Sequence, residues 1–368
     1  MNRRRRGTPK RAPGGTESKW TRLFGAAFVV LLGVAGVARA DDVYIAYDGA
    51  NNTIQDYASG DISGDSYNGG TFTSTGLAAE SGIAFDSQGD LYVANGGNNT
   101  ITEYNSGGGL IATISSGQLN NPNGLAFDQY GDLFVGNSGN GEVLEFTPSG
   151  LASSTPTVYA SGLGSPNGLA FDSAGNLYVA DYADSVIWQV PASGGSPSEF
   201  ISPGDYSTIN HPHGIAFDSA GNIYVANSDS SVNDIEVFSP TGSAEGVFAT
   251  SSEGLDTPDG LAFDSSGDLY VVNFSHTGPE NETSPGSSSV LEISPGQFTG
   301  GELTGGATLL EAFNDNTDSD LEDGGYIAIE TNSGQPLLQS VPEPSSAALL
   351  GAGLAASAGL VWARRRRG

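Results

Sequence analysis

The chain is 368 residues long, carries 42 acidic against 13 basic residues for a net charge of −29, and has no cysteine. The missing cysteines exclude a disulfide scaffold, a Cys-ligated zinc site and a thiol nucleophile, and three histidines leave little room for a multi-histidine metal centre. The basic residues sit only at the ends: nine lie at or before Arg39 and four are Arg364, Arg365, Arg366 and Arg367. Residues 41–363 therefore hold no Lys or Arg, and every acid except Glu17. Such a body repels phosphate backbones, which excludes nucleic acid as a partner. Its carboxylates must be solvated, hydrogen-bonded or bound to cations, because no ammonium or guanidinium is there to pair with them.

In chain order the first element is a leader. Residues 1–22 are basic, residues 23–38 are apolar, and Ala38-Arg39-Ala40 precedes Asp41-Asp42. A charged segment, a short apolar segment and a small-x-small step predict a secretory signal peptide over residues 1–40, cleaved after Ala40. The body follows over residues 41–340. One phrase recurs in it five times: ESGIAFDSQGDLYVAN, PNGLAFDQYGDLFVGN, PNGLAFDSAGNLYVAD, PHGIAFDSAGNIYVAN and PDGLAFDSSGDLYVVN. Its leading glycines are Gly82, Gly124, Gly168, Gly214 and Gly260, at spacings of 42, 44, 46 and 46. Each phrase predicts a strand, a tight turn and a second strand. A third strand follows at 101–104, 143–146, 186–190, 235–238 and 290–293, and a weaker fourth shows at 157–160 and 246–249. Four strands in about 45 residues predict one propeller blade.

The two ends of the body complete the count. Residues 43–47, VYIAY, match the second strand of the phrase, and 53–57 match the third. The missing first strand is found at 326–330, YIAIE. The expected fold is all-β: a six-bladed β-propeller whose closing blade is composite, its inner strand from the C-terminal end and the rest from the N-terminal end. Closure removes open sheet edges. The phrase resembles the NHL repeat and, more broadly, the six-bladed propellers of the gluconolactonase-like and virginiamycin B lyase-like groups.

Within the phrase, Asp86, Asp128, Asp172, Asp218 and Asp264 each precede a glycine by three residues. Asp caps a turn and Gly supplies positive φ, so turn chemistry accounts for both without a ring of calcium sites. Phe85, Phe127, Phe171, Phe217 and Phe263 read as core between blades. The position before each leading glycine varies: Ser81, Asn123, Asn167, His213 and Asp259. Resemblance to lactonases and lyases implies that these residues open on the face where metal and substrate bind, together with the loops beginning at Asn95, Asn137, Asp181, Asn227 and Asn273. His213 and Asp259, with Asn123 and Asn167, are the candidate ligand or metal residues. Imidazole, carboxylate and amide oxygens suit a divalent cation, calcium above all, and a bound metal polarises a carbonyl or activates water. These positions carry no Glu as a base and no Lys or Arg to hold an anion, so no catalytic residue is assigned.

Two later loops stand out. The step from Asn273 to Val290 is 17 positions, against 5 to 8 elsewhere, and carries His276, Glu280 and Glu282. Residues 314–325 read NDNTDSDLEDGG, where Asp318, Asp320 and Glu322 alternate as weak calcium candidates. The spacing fails as an EF-hand, with Asp323 where glycine belongs and Ile329 where glutamate belongs.

The chain ends on Val341-Pro342-Glu343-Pro344, an apolar stretch at 347–363 and the four arginines. That stretch almost spans a bilayer, with the arginines cytoplasmic and the body outside. Residues 341–368 resemble the PEP-CTERM sorting signal of Gram-negative bacteria. The resemblance implies an exosortase and the secretion machinery as partners, processing at Pro342, Glu343 and Pro344, and delivery to the cell surface or extracellular matrix, membrane-anchored transiently or permanently. The function expected is non-catalytic binding of an extracellular glycan, surface protein or other ligand. The alternative is a metal-dependent lactonase or lyase.

Overall fold

The computed structural model describes residues 42–48, 52–57, 70–203, 209–229, 232–264, 267–273, 289–293, 298–299, 302–303, 308–312 and 323–330. Every phrase folds as an antiparallel hairpin. The turn chemistry is that of Asp and Gly: Asp172 Oδ1 accepts from the Ala174 and Asn176 amides at 2.9 and 2.8 Å, and Gly175 takes φ +82°. Asp86, Asp128 and Asp218 cap their turns in the same way, with two amides each, and Asp264 Oδ1 accepts from the Asp268 amide.

Third and fourth strands extend each hairpin into a four-stranded sheet, and six such sheets are present among the described residues. From the inner strand outward, blade 2 comprises Glu80–Phe85, Leu91–Asn95, Thr100–Tyr104 and Leu110–Ser115. Blade 3 comprises Pro122–Phe127, Leu133–Asn137, Glu142–Phe146 and Thr157–Ser161, with a short helix, Pro148–Ser153, before its last strand. Blade 4 comprises Pro166–Phe171, Leu177–Asp181, Val186–Val190 and Ser198–Ile201. Blade 5 comprises Pro212–Phe217, Ile223–Asn227, Asp234–Phe238 and Ala244–Ala249. Blade 6 comprises Pro258–Phe263, Leu269–Asn273, Ser289–Ile293 and Thr308–Ala312. The remaining sheet, blade 1, orders Asp323–Glu330, Asp42–Asp48, Thr53–Tyr57 and Gly70–Thr73. In it Val43 lies opposite Ile329 and Ile45 opposite Ile327. The molecule is an all-β six-bladed propeller.

The second strands of blades 2 to 6 are buried at every residue. That is why they read as unbroken apolar runs rather than alternating ones. Between blades, an aromatic of one second strand meets the phenylalanine of the next inner strand edge-on: Tyr44 with Phe85, Tyr92 with Phe127, Phe134 with Phe171, Tyr178 with Phe217 and Tyr224 with Phe263. Centroid separations are 4.9 to 5.1 Å, the edge-to-face arrangement that ring quadrupoles favour.

The leading glycines bring the inner strands together. A Cβ on Gly124 would collide with the Asn167 carbonyl of the next blade, one on Gly168 with the His213 carbonyl, and one on Gly214 with the Asp259 carbonyl. Each inner strand touches its neighbours, and Asp323–Glu330 touches both Pro258–Phe263 and Glu80–Phe85. Because the backbones run this close, side chains 44 or 46 residues apart in sequence meet at one end of the ring.

Candidate functional site

The residue before each leading glycine lies on an inner strand, and four of them form a belt. Asn123 Nδ2 donates to Asn167 Oδ1 at 3.2 Å, Asn167 Nδ2 stands 3.5 Å from His213 Nε2, and His213 Nδ1 stands 2.6 Å from Asp259 Oδ1. Asn123, Asn167, His213 and Asp259 come from blades 3, 4, 5 and 6 in turn, so all four candidates are brought together. The approach of Asp259 to His213 is short but off-line for a hydrogen bond. A carboxylate oxygen and an imidazole lone pair repel at that distance, so the proton sits on Nδ1. Nε2 is then the acceptor facing the Asn167 amide, and the dipoles run one way, ending on Asp259. Its carboxylate is almost fully enclosed, at 5% exposure, and Ser228 Oγ lies 3.4 Å from the same oxygen.

With the proton on Nδ1, the belt offers a divalent cation the Asp259 carboxylate and amide oxygens rather than the imidazole. Among the described residues no group of three or more His, Asp or Glu side chains converges as a metal site would require. Asp318, Asp320 and Glu322 lie outside the described residues, as do His276, Glu280 and Glu282, Ala40, Pro342, Glu343 and Pro344, the stretch 347–363 and Arg364 to Arg367.

The loops behind the belt are held by a second recurring set. Asn95, Asn137, Asp181, Asn227 and Asn273 end the second strands and are all but completely buried. Each accepts, through its side chain, from an amide 17 residues earlier: Ala78 to Asn95 at 3.0 Å, Asn120 to Asn137 at 2.7 Å, Gly164 to Asp181 at 2.7 Å, Asn210 to Asn227 at 3.1 Å and Asp256 to Asn273 at 3.3 Å. They lock the segment leading into the inner strand.

On the far side of Asn227, its Nδ2 donates to Asp234 Oδ1 at 2.6 Å. Burial pushes the Asp234 carboxyl up to about 6; the Asn227 bond opposes this and Glu236 adds to it. The unfolded chain releases this proton near the ordinary 3.8. Between those values the folded state binds more protons, so the contribution is complete below about pH 4 and is lost as pH rises through 6. Asp234→Asn should therefore raise stability at pH 7 by roughly 1–3 kcal/mol and flatten the melting temperature between pH 4 and 7. A variant that melts lower than the parent at pH 7 would contradict this.

In blades 2 to 5 the amide of the first residue after the second strand donates to the segment leading into the inner strand of the same blade: Gly96 to Ala79, Ser138 to Asn121, Tyr182 to Ser165 and Ser228 to His211. These bonds define equivalent positions. In sequence the first position is Gly96, Ser138, Tyr182, Ser228 and Phe274 in blades 2 to 6, and the second is Ala79, Asn121, Ser165, His211 and Thr257. The Tyr182 ring lies 4.5 Å from the His211 ring and 4.8 Å from that of His213, edge-on to the latter. His211 Nδ1 meets Asp229 Oδ2 at 3.2 Å.

The comparisons with known proteins agree with this geometry. Residues 116–247 match the SMP-30/Gluconolactonase/LRE-like region, and residues 340–367 match the PEP-CTERM protein-sorting motif. The chain is a six-bladed β-propeller, similar over residues 116–247 to the gluconolactonase-like region, with a PEP-CTERM sorting motif. The motif marks an exported, exosortase-sorted cell-surface protein. No curated protein matches the propeller chain in sequence. Among solved structures, nidogen in a nidogen/laminin complex is similar at TM-score 0.58 and 18% identity, over 78% of this chain and 98% of that one. A protein of unknown function from Bacteroides caccae is similar at 0.54 and 14%, over 79% and 98%. Streptogramin B lyase is similar at 0.51 and 14%, over 75% and 76%. At such identities the likeness establishes the propeller fold alone.

Proposed function

We propose that this chain is a non-catalytic binding protein of the bacterial surface or extracellular matrix, using the belt end of its propeller to hold an extracellular ligand. The observation that carries the reading is the make-up of the belt: one imidazole and one carboxylate set beside two amides, with no Lys, Arg or Glu at the equivalent positions to act on a substrate. The leader ending at Ala40 supports export with cleavage there, and the order of Pro342-Glu343-Pro344, apolar stretch and arginines supports exosortase processing at the other end. Antiparallel pairing of Asp323–Glu330 with Asp42–Asp48 supports a ring closed by both ends of the mature chain.

The competing reading, a metal-dependent lactonase or lyase, draws on the family match over residues 116–247. Elemental analysis of the dialysed protein, with a lactone hydrolysis assay, separates the two. We expect no stoichiometric metal and no turnover. His213→Ala should leave the metal content unchanged and lower stability by about 1–3 kcal/mol, because Asp259 keeps a buried charge without its partner. One divalent ion per chain that survives dialysis and disappears in His213→Ala would overturn the binding reading.

A further inference from the structure

Each blade ends on an outer strand with one open edge, and such an edge is a template for further pairing. In blades 1, 3, 4, 5 and 6 that strand is bulged at the same point. The register shifts just after Ile54 opposite Thr73, Val143 opposite Ala160, Ile187 opposite Ile201, Ile235 opposite Ala249 and Val290 opposite Glu311. In four of the five the extra residue is a ring that packs on the second strand of its own blade: Phe72 on Tyr44, Tyr159 on Phe134, Phe200 on Tyr178 and Phe248 on Tyr224. A bulge bends and twists the strand that carries it, which spoils the edge as a template.

Blade 2 keeps a straight edge. Its equivalent pair is Ile101 opposite Ile114, and the ladder runs unbroken from Ser115 opposite Thr100 to Ala112 opposite Glu103. The shift comes only beyond Glu103, where Ile111 is the residue left over. Ile111 is 49% exposed and Leu110 beside it 43%, and Thr113 and Ser115 are exposed as well. Charge is the other guard of an open edge. The outer strands of blades 4, 5 and 6 carry Glu199, Glu245 and Glu311, whereas residues 104–127 hold no charged side chain. Those of blades 1 and 3 are uncharged too, but both are bulged. Among the described residues only Leu110–Ser115 joins a regular run to neutrality, and no further strand pairs with it.

Charge also selects the occupant. Residues 41–363 contain no Lys or Arg, so a cationic partner is drawn to the carboxylates of the body rather than to this neutral strand. A second copy is repelled wherever carboxylates face one another, and residues 104–127 offer it none. A two-fold axis through Thr113, perpendicular to the sheet, sets Thr113 beside Thr113 and Ala112 beside Ile114. Every side chain in that ladder is neutral, whereas the same operation on blades 4, 5 or 6 brings a glutamate up to its own copy. We infer that Leu110–Ser115 pairs antiparallel with the same strand of a second copy, joining two propellers edge to edge. The contact is smaller than a standard interface, so the dimer is weak in solution. Sorting of many copies to one surface raises their effective concentration and the paired fraction. The pairing stands whether or not the belt end binds a ligand.

Sedimentation equilibrium of the full chain in mild detergent, from micromolar to submillimolar chain, should show monomer and dimer in exchange. Salt should tighten the dimer, because it screens the repulsion between the two bodies. Amide hydrogen exchange over the same range should show protection rising with concentration at Leu110–Ser115 and not at Thr157–Ser161. Thr113→Glu copies Glu199, which stands opposite Trp188 as Thr113 stands opposite Thr102. Val158→Glu puts a charge at the equivalent point of blade 3, opposite Leu144. Thr113→Glu should raise the dissociation constant of the dimer by about tenfold, and Val158→Glu should leave it unchanged. If Thr113→Glu fails to fold, the exchange pattern of the unaltered chain decides. The inference is overturned if the chain stays monomeric, or if the dimer ignores Thr113→Glu, as one held through residues 347–363 would. It is also overturned if Leu110–Ser115 is as protected at the lowest concentration as at the highest, since another segment of the same chain would then cover the edge.

Discussion

Gly124→Ala is expected to cost at least ~4 kcal/mol, a large part of the ~5–15 kcal/mol that holds a folded chain together. The added methyl has no room: its nearest neighbours would be the Asn167 carbonyl and Leu169 of blade 4. A flexible side chain would move aside, but a carbonyl in the innermost strand of a closed ring cannot, because shifting one strand displaces every blade. The same holds for Gly168 against the His213 carbonyl and Gly214 against the Asp259 carbonyl. Gly117 is the internal control. Nothing lies within 4 Å of its added Cβ, and Gly117→Ala should be neutral or stabilising by up to ~1 kcal/mol. Urea unfolding of both variants checks this, and equal midpoints would refute the close-approach account. The site depends on the same contact. If blades 3 and 4 part by the width of a methyl group, Asn123 no longer reaches Asn167 and the belt opens, so any surviving Gly124→Ala protein should also lose the stability linked to His213.

The blades were legible because a propeller writes the same hairpin repeatedly. The phrase located five inner strands, the Asp-x-x-Gly spacing located their turns, and the phenylalanines proved to be the rings that join blades. The variable position before each glycine correctly picked out Asn123, Asn167, His213 and Asp259 as neighbours. Its chemistry was not legible, because which nitrogen of His213 holds a proton depends on distances across blades that no spacing encodes. The loops beginning at Asn95, Asn137, Asp181, Asn227 and Asn273 were expected on the ligand face, and their first residues are buried locks. A signal for this existed. The same polar residue type closing five apolar strands suits a buried bond to the backbone better than a variable binding surface. Tyr182, whose ring meets those of His211 and His213, was overlooked because it follows the phrase rather than lying in it.

Asp181→Asn is the second large effect we expect, although four of the five equivalent locks are conservative in the opposite sense, being Asn already. The difference lies in the partners. In blade 2, Asn95 accepts from one amide and donates from Nδ2 to Thr102 Oγ1 at 3.1 Å. In blade 5, Asn227 accepts from one amide and donates to Asp234. Asp181 donates to nothing. Its carboxylate accepts from the Gly164 amide at 2.7 Å, the Ser165 amide at 2.8 Å, the Asp184 amide at 3.2 Å and the Trp188 indole Nε1 at 3.0 Å. An amide in its place turns one of its two oxygens into a donor, which must face either a backbone N–H or the indole N–H in a site with no exposure. Stranding a buried donor while also losing a charged acceptor should cost about 2–4 kcal/mol. The indole decides how much can be recovered. Trp188→Thr places the hydroxyl of blade 2 opposite the new amide, so the double variant should be more stable than the sum of the two single losses by about 1 kcal/mol or more. Strict additivity in that cycle would mean that Trp188 and Asp181 do not depend on each other, and the choice of Asp in blade 4 would need another cause.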